Sequence, residues 1–182
     1  MCTVTFIQLL SVKMNIRMEI YMKKKVLSIL VDNTPGVLSR VAGLFSRRGY
    51  NIDSLTVGET ENEDFSRMTV VVRGDDQILD QIEKQVAKLE DVRSVKELKH
   101  NSSVCRELVL ITIGVTAEER PNVVAIADQI FRAKIVDVSK DTMMIELTGS
   151  QSKINAFINL LEEYEIKEIV RTGIAGLSRG AQ

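Results

Sequence analysis

Histidine and cysteine are nearly absent from this chain of 182 residues, which has one histidine, two cysteines and no tryptophan. A zinc or nickel site needs a cluster of such ligands, which one chain of this composition cannot assemble. A catalytic serine–histidine or cysteine–histidine pair would have to use His100, which lies in a polar stretch. We interpret His100 as a solvated linker residue and expect neither catalytic nor metal-binding residues.

The chain also lacks the patterns of secreted, nucleic-acid-binding and membrane-bound proteins. Cys2 and Cys105 lie far apart in the sequence, which suits a reducing compartment better than a disulfide framework. The net charge of −1 provides neither a basic field for nucleic acid nor a polybasic segment for a membrane surface. We therefore predict a cytoplasmic protein with no nucleic-acid and no membrane partner.

Residues 1–21 do not match the pattern of the rest of the chain. Thr3 to Val12 is apolar, but no basic residue precedes it, no small-residue cleavage site follows it, and it is too short to span a bilayer. Met14, Met18 and Met22 are alternative starts. We predict that residues 1–21 are an extension, disordered or not native, outside the fold.

An apolar run stops at Asn33-Thr34-Pro35-Gly36 and restarts with helical spacing. Residues 25–31 are aliphatic and β-branched and predict a buried strand. The later spacing predicts a helix with Thr34 as N-cap, Pro35 at its first position and Gly49 at its end. Free N–H groups at such a helix start suit a carboxylate or a phosphate. From this stretch alone, a capped connection that binds nothing is the simpler interpretation.

The next elements complete a βαββαβ unit. Residues 50–59 predict a strand with a bulge near Ser54, and residues 65–73 predict its antiparallel partner across a polar hairpin loop. A second amphipathic helix follows Gly74-Asp75, and Val92 to Leu98 predict a fourth strand. The helices cover one face of the sheet. The other face should carry a partly apolar set, Val26, Ser28, Leu30 and Val71, so we expect association into a homodimer.

The same order of elements recurs after a polar segment that we interpret as a linker, residues 100–106. The first helix of this repeat should place Val123, Ile126, Ala127 and Ile130 inward, and Ser150 should cap the second helix. Gly173 to Gly180 is too rich in glycine to predict a packed element. The sequence thus predicts an α+β fold of two tandem ferredoxin-like βαββαβ domains, residues 22–99 and 107–182.

Five stretches of the chain resemble the small regulatory subunits of acetolactate synthase (acetohydroxyacid synthase). The two longest are KVLSILVDNTPGVLSR (25–40) and GLFSRRGYNIDSLTV (43–57). The others are SRMT (66–69), IVDV (135–138) and RTGIAGLSRG (171–180), so the resemblance covers residues 22–180.

The resemblance implies a non-catalytic regulatory subunit with an N-terminal ACT domain. Such a subunit binds and activates the thiamine-diphosphate-dependent large catalytic subunit and confers feedback inhibition by valine or a related branched-chain amino acid. It implies no cofactor in this chain, whereas thiamine diphosphate, Mg and FAD are expected in the catalytic partner.

The resemblance also implies an effector site where two ACT domains of a homodimer meet. One chain contributes its loop and helix start, and the other the start of its second strand, so that the site residues are Asn33, Gly36, Val37, Leu38, Asn51 and Ile52. Backbone N–H groups would take the effector carboxylate, and the asparagine oxygens would accept from its ammonium group. Alternatively, Asn33 only caps the helix and Asn51 only satisfies a turn.

Two other classes of function remain open at this point. An amino-acid-sensing ACT-type regulator of transcription would need a DNA-binding element, and residues 1–21 contain no helix-turn-helix or basic stripe. A free-standing enzyme would need an acid–base pair. Its candidates Glu83, Glu90 and Glu162 lie on polar helix faces, where a solvated surface is the simpler interpretation.

Overall fold

The structure, a computed structural model, describes residues 23–180 and divides into two compact units between Lys99 and His100. We refer to them as the N-terminal and the C-terminal unit. The prediction for residues 1–21 lies outside the described residues.

The N-terminal unit is a four-stranded antiparallel sheet with two helices. Its elements are β1 (Lys23–Asp32), α1 (Val37–Arg47), β2 (Ile52–Glu59), β3 (Phe65–Gly74), α2 (Asp76–Val86) and β4 (Val92–Glu97). The strand order is β2-β3-β1-β4. The predicted βαββαβ order is confirmed, as is the bulge, because the pairing of β2 with β3 shifts between Ile52 and Ser54.

Alternation along β1 and β3 builds the core of this unit. Leu27, Ile29 and Val31 face the helices and pair with β3, and the apolar stripe of α1 packs onto them. On the opposite face, Val26 pairs with Val71, and Val71 is buried. Val71 therefore offers no exposed apolar surface to a second chain.

Gly36, not Thr34, is the N-cap of α1. Its φ of 88° is left-handed, and no side chain caps the helix. The chain turns at Gly36 because glycine adopts this conformation without strain, so Pro35 lies outside the helix. At the other end, Gly49 with φ 68° follows the last turn, as predicted.

The C-terminal unit repeats the order of elements. After a 3₁₀ turn (His100–Ser102) come β5 (Ser103–Gly114), α3 (Arg120–Val124), a π-helical segment (Ala125–Ile130), β6 (Lys134–Val138), β7 (Thr142–Gly149), α4 (Gln151–Leu161), β8 (Glu165–Arg171) and β9 (Ala175–Ser178). The sheet order is β6-β7-β5-β8, and β9 pairs with β5. Ser150 caps α4 as predicted, accepting from the N–H of Lys153.

The predicted linker 100–106 and the predicted unpacked tail are both wrong. Ser103 to Arg106 belong to β5 and pair with Ala175 to Ser178 of β9. Each stretch supplies hydrogen-bond partners for the other's backbone, which neither has alone. Gly176, which pairs with Cys105, thus lies within a strand and not in an unpacked tail.

The predicted inward position of Ile130 is also wrong, because the helix changes type. Residues 125–130 form a π-helix, in which each N–H reaches back five residues and the helical face shifts by one position. Val123 and Ala127 are buried as predicted, but Phe131 takes the next inward position and Ile130 is exposed. Phe131 packs against Phe157 with ring centroids 5.0 Å apart.

A buried ion pair joins β5 to β8. Arg171 Nε and Nη2 donate to the two carboxylate oxygens of Glu107, over 2.7 and 2.9 Å. The Glu107 side chain is 4% exposed and that of Arg171 32%. This hydrogen bond is the main reason that the pKa of Arg171 is raised. Removing the arginine would leave a carboxylate inside the sheet without its cation.

Arg171→Met should lower the free energy of opening of the C-terminal unit by about 2 kcal/mol, less than for a fully buried pair because Arg171 is partly solvated. Hydrogen exchange of the β5 amides in the full chain measures this change. Lys167→Met, which breaks an exposed pair with Glu165, is the control and should cost less than about 0.5 kcal/mol. If the two substitutions lowered the free energy of opening equally, the burial of Glu107 would not explain the cost of removing Arg171.

Substitution of glycine by alanine should have opposite effects on stability at Gly43, inside α1, and at Gly49, just after it. An alanine Cβ meets no atom within 4 Å at Gly49, so its cost is the left-handed backbone alone, about 1 kcal/mol. At Gly43, inside the helix, the Cβ would make an ordinary 3.5 Å contact, and alanine should stabilise by about 0.5–1 kcal/mol. Hydrogen exchange of the α1 amides measures both, and effects of the same sign would contradict this assignment.

Candidate functional site

The loop between β1 and α1 is fastened to the β2–β3 hairpin through Asn33. The N–H of Asn33 donates to Asp64 O over 2.8 Å. Its side-chain Nδ2 donates to Glu63 O and Glu59 Oε1 over 2.9 and 3.2 Å, and its Oδ1 accepts from Ser66 Oγ over 3.0 Å. Asn33 therefore does not cap the helix. Its side-chain oxygen keeps one lone pair for another donor.

The other side of the same loop is fastened to the start of β4. Arg93 Nε donates to Asp32 Oδ1 over 2.6 Å, and Arg40 Nε and Nη2 donate to Asp91 over 2.7 and 2.8 Å. The backbone N–H of Asp32 also donates to Asp91 O. The hydrogen bond from Arg40 is the main cause that lowers the pKa of the Asp91 carboxyl.

The start of α1 presents free hydrogen-bond donors. The N–H of Val37 makes a long 3.4 Å bond to Thr34 O, and those of Leu38 and Ser39 have no acceptor among residues 23–180. These groups lie at the positive end of the helix dipole and can bind a carboxylate. The Val37 side chain is buried in the core, so this residue can offer a ligand its backbone only.

Asn51 and Ile52 lie at the opposite end of the sheet from this loop. Asn51 Nδ2 donates to Asp53 Oδ1, and Ile52 packs on the core. In the sheet register, Ile52 is level with Lys25, and Glu59 is level with Val31. At about 3.3 Å per residue, Asn51 is about 20 Å from the Asn33 loop of the same chain. One chain therefore does not bring the six predicted residues together.

Two large apolar side chains of the N-terminal unit remain exposed, one on a helix and one on an edge strand. Among its described residues, the large hydrophobic side chains left exposed are Leu38, 44% exposed, and Val57, 41% exposed. Leu38 lies at the start of α1, and Val57 lies on β2, which is one of the two edge strands of the sheet. An exposed apolar residue on an edge strand, as Val57 is, is typical of a surface that another chain covers.

The corresponding corner of the C-terminal unit is filled by its own side chains. The Glu119 carboxylate accepts from the N–H and Oγ of Thr116, both over 2.8 Å, and the backbone bond is the main cause that lowers the pKa of Glu119. Arg120 Nη2 donates to the carbonyl oxygens of Ser139 and Lys140. At the start of α3, Pro121 has no N–H, and those of Asn122 and Val123 donate to Glu119 O, so the repeat of the fold does not repeat the open donors.

The acidic residues considered for catalysis lie in ordinary surroundings. Glu83 pairs with Lys25 over 2.8 Å, and Glu90 and Glu162 are exposed. Within residues 23–180, no group of three or more His, Cys, Asp and Glu side chains is arranged to hold a metal ion. No helix in that range is long and apolar enough to cross a membrane.

Both halves of the chain match known family models. Residues 27–94 match the AHAS small subunit-like ACT domain, and residues 106–180 match the small subunit of acetolactate synthase. A probable acetolactate synthase small subunit from Archaeoglobus fulgidus is 52% identical over 157 residues, which are 86% of this chain and 98% of that protein. The acetolactate synthase small subunit of Mycolicibacterium smegmatis is 49% identical over 85% of this chain and 90% of its own.

A solved structure supports the same relationship. The crystal structure of the acetolactate synthase small subunit from Thermotoga maritima is 43% identical and superposes with a TM-score of 0.77. The match covers 88% of this chain and 99% of that one. This similarity extends over both predicted domains.

Asn33→Ala should destabilise the N-terminal unit by about 1–2 kcal/mol, because the hydroxyl of Ser66, a buried residue, loses its acceptor. Asn51→Ala, which loses one exposed contact, should cost less than about 0.5 kcal/mol. Hydrogen exchange of the β1 and β3 amides measures both. If the two variants were equally stable, the three contacts of the Asn33 side chain would not be what holds the loop.

Proposed function

The chain belongs to the family of acetolactate synthase small subunits, the regulatory part of that enzyme, and we propose that it makes the large catalytic subunit sensitive to valine or a related branched-chain amino acid. It is not catalytic alone. We further propose that it raises the activity of that partner, which holds thiamine diphosphate, Mg and FAD, in the cytoplasm.

The observation that carries the effector site is the separation of Asn33 from Asn51. In one chain they are about 20 Å apart, at opposite ends of β2. If β2 pairs with β2 of a second copy in antiparallel fashion, the Ile52 end of one strand lies beside the Glu59 end of the other. That pairing brings Asn51 of one chain to the Asn33 loop of its partner. It also covers Val57 at the exposed edge.

The donors and acceptors at this junction suit an α-amino acid. The free N–H groups of Leu38 and Ser39 would donate to the effector carboxylate. The remaining lone pair of Asn33 Oδ1 and the side-chain oxygen of Asn51 would accept from the ammonium group. The exposed Leu38 side chain provides an apolar contact for a branched aliphatic group.

Feedback would then follow from thermodynamic linkage. An effector bound between two chains stabilises one arrangement of the dimer, and the catalytic partner would differ in activity between arrangements. By reciprocity, binding of the catalytic subunit must change the affinity for valine by the same factor.

The test is valine inhibition of acetolactate formation by the large subunit reconstituted with this chain. Wild type should raise the activity and confer inhibition. Asn33→Ala and Asn51→Ala should each raise the half-inhibitory valine concentration at least about tenfold, because each removes a hydrogen bond to a charged group.

Mixing the two variants distinguishes a site shared between chains from two separate defects. A mixed dimer holds one site with both wild-type asparagines and one with both alanines, so random pairing restores about a quarter of the sites. Partial recovery of high-affinity inhibition is expected on mixing, which a misfolded variant could not provide. If the mixture were as insensitive as each variant alone, the shared site would be refuted.

A further inference from the structure

Two arginines hold both ends of the β1–α1 loop against one short segment at the start of β4. Before the loop, Arg93 binds the Asp32 carboxylate through Nε and Nη2, over 2.6 and 2.5 Å. After the loop, Arg40 binds Asp91 through Nε and Nη2. Asp91 and Arg93 are two residues apart, so residues 33–39, which are the loop and the first residues of α1, lie between two anchors fixed to the same short segment.

The guanidinium of Arg40 also lies close to the loop backbone at Gly36. Its third guanidinium nitrogen, Nη1, is 3.1 Å from where a Cβ on Gly36 would be. Gly36 is the left-handed residue that turns the chain into α1. The guanidinium thus bridges the Asp91 carboxylate and the turn that orients the N–H groups of Leu38 and Ser39.

Both ion pairs should affect the conformation of the loop more than the stability of the whole unit. The arginine side chains are about half exposed, and each aspartate is 21% exposed. Exposed ion pairs contribute little to the free energy of folding. Bidentate contacts at Asp32, before the loop, and at Arg40, in the first turn of α1, instead limit the conformations of residues 33–39. Fixing a binding loop beforehand lowers the entropic cost of binding.

We propose that Arg40 and Arg93 are positioning residues that hold the β1–α1 loop in its binding conformation through Asp91 and Asp32. This inference rests on the proposed effector site. Neither arginine needs to touch the effector. Each arginine acts on the backbone of residues 33–39. Substituting either one can therefore weaken effector binding without removing any group that contacts the ligand.

The test measures valine affinity and stability separately on the full chain. By calorimetric titration, Arg40→Met and Arg93→Met should each raise the Kd for valine about fivefold, while the thermal midpoint of unfolding stays within about 2 °C of wild type. The control is Lys23→Met, which breaks the exposed Lys23–Asp76 pair at the far end of β1 and should change neither quantity.

A double variant tests the contact itself. Because Arg40 acts through Asp91, adding Asp91→Asn to Arg40→Met should change the Kd no further than Arg40→Met alone. An additive effect, or a Kd that rises only in step with a loss of thermal stability, would overturn the proposal. An unchanged Kd in both arginine variants would do so as well.

Hydrogen exchange without valine separates this inference from the proposed function. The amides of residues 33–39 should exchange faster in Arg40→Met than in wild type and Lys23→Met, with β1 unchanged. If wild type bound no valine, the proposed effector site would fail, and the exchange rates would then decide the positioning role by themselves. Equal exchange in all three proteins would refute it.

Discussion

The amide of Asn33 is the contact on which the architecture of the N-terminal unit depends. Its Nδ2 donates to the backbone oxygen of Glu63, in the β2–β3 connection, and to the carboxylate of Glu59. Its Oδ1 accepts from the hydroxyl of Ser66. A loop of four residues between a strand and a helix cannot satisfy such groups internally. The loop that leads into α1 is therefore hydrogen-bonded to the β2–β3 hairpin, and a displacement of either one would displace the other.

Local signals in the sequence predicted the parts of the fold that depend on neighbouring residues. Gly49 after a helix, a bulge near Ser54 and Ser150 before a helix follow from the conformations these residues allow within one turn. The sequence does not distinguish Gly36 as the N-cap of α1, because Thr34 and Pro35 form an equally good helix start by the same rules. The π-helical segment Ala125–Ile130 has no sequence pattern that distinguishes it from a regular α-helix.

Contacts between distant residues could not be predicted in this way. The pairing of Ser103 to Arg106 with the tail joins segments about seventy positions apart, and neither has a strand pattern alone. The same holds within the candidate site. Its six residues came from the resemblance, but the partners of Asn33 and the pairs of Arg40 and Arg93 depend on strand register, which periodicity does not determine.

Because β2 is an edge strand that would pair with a second copy, regulation by an effector would require that two chains have associated. In the proposed dimer, each effector is held by two chains, so the bound state exists only after the chains have associated, and effector binding and association strengthen each other by mass action. The apparent effector sensitivity then depends on the amount of this subunit as well as on the effector concentration. A cell that makes little of the subunit would blunt its own feedback without any change in the binding residues.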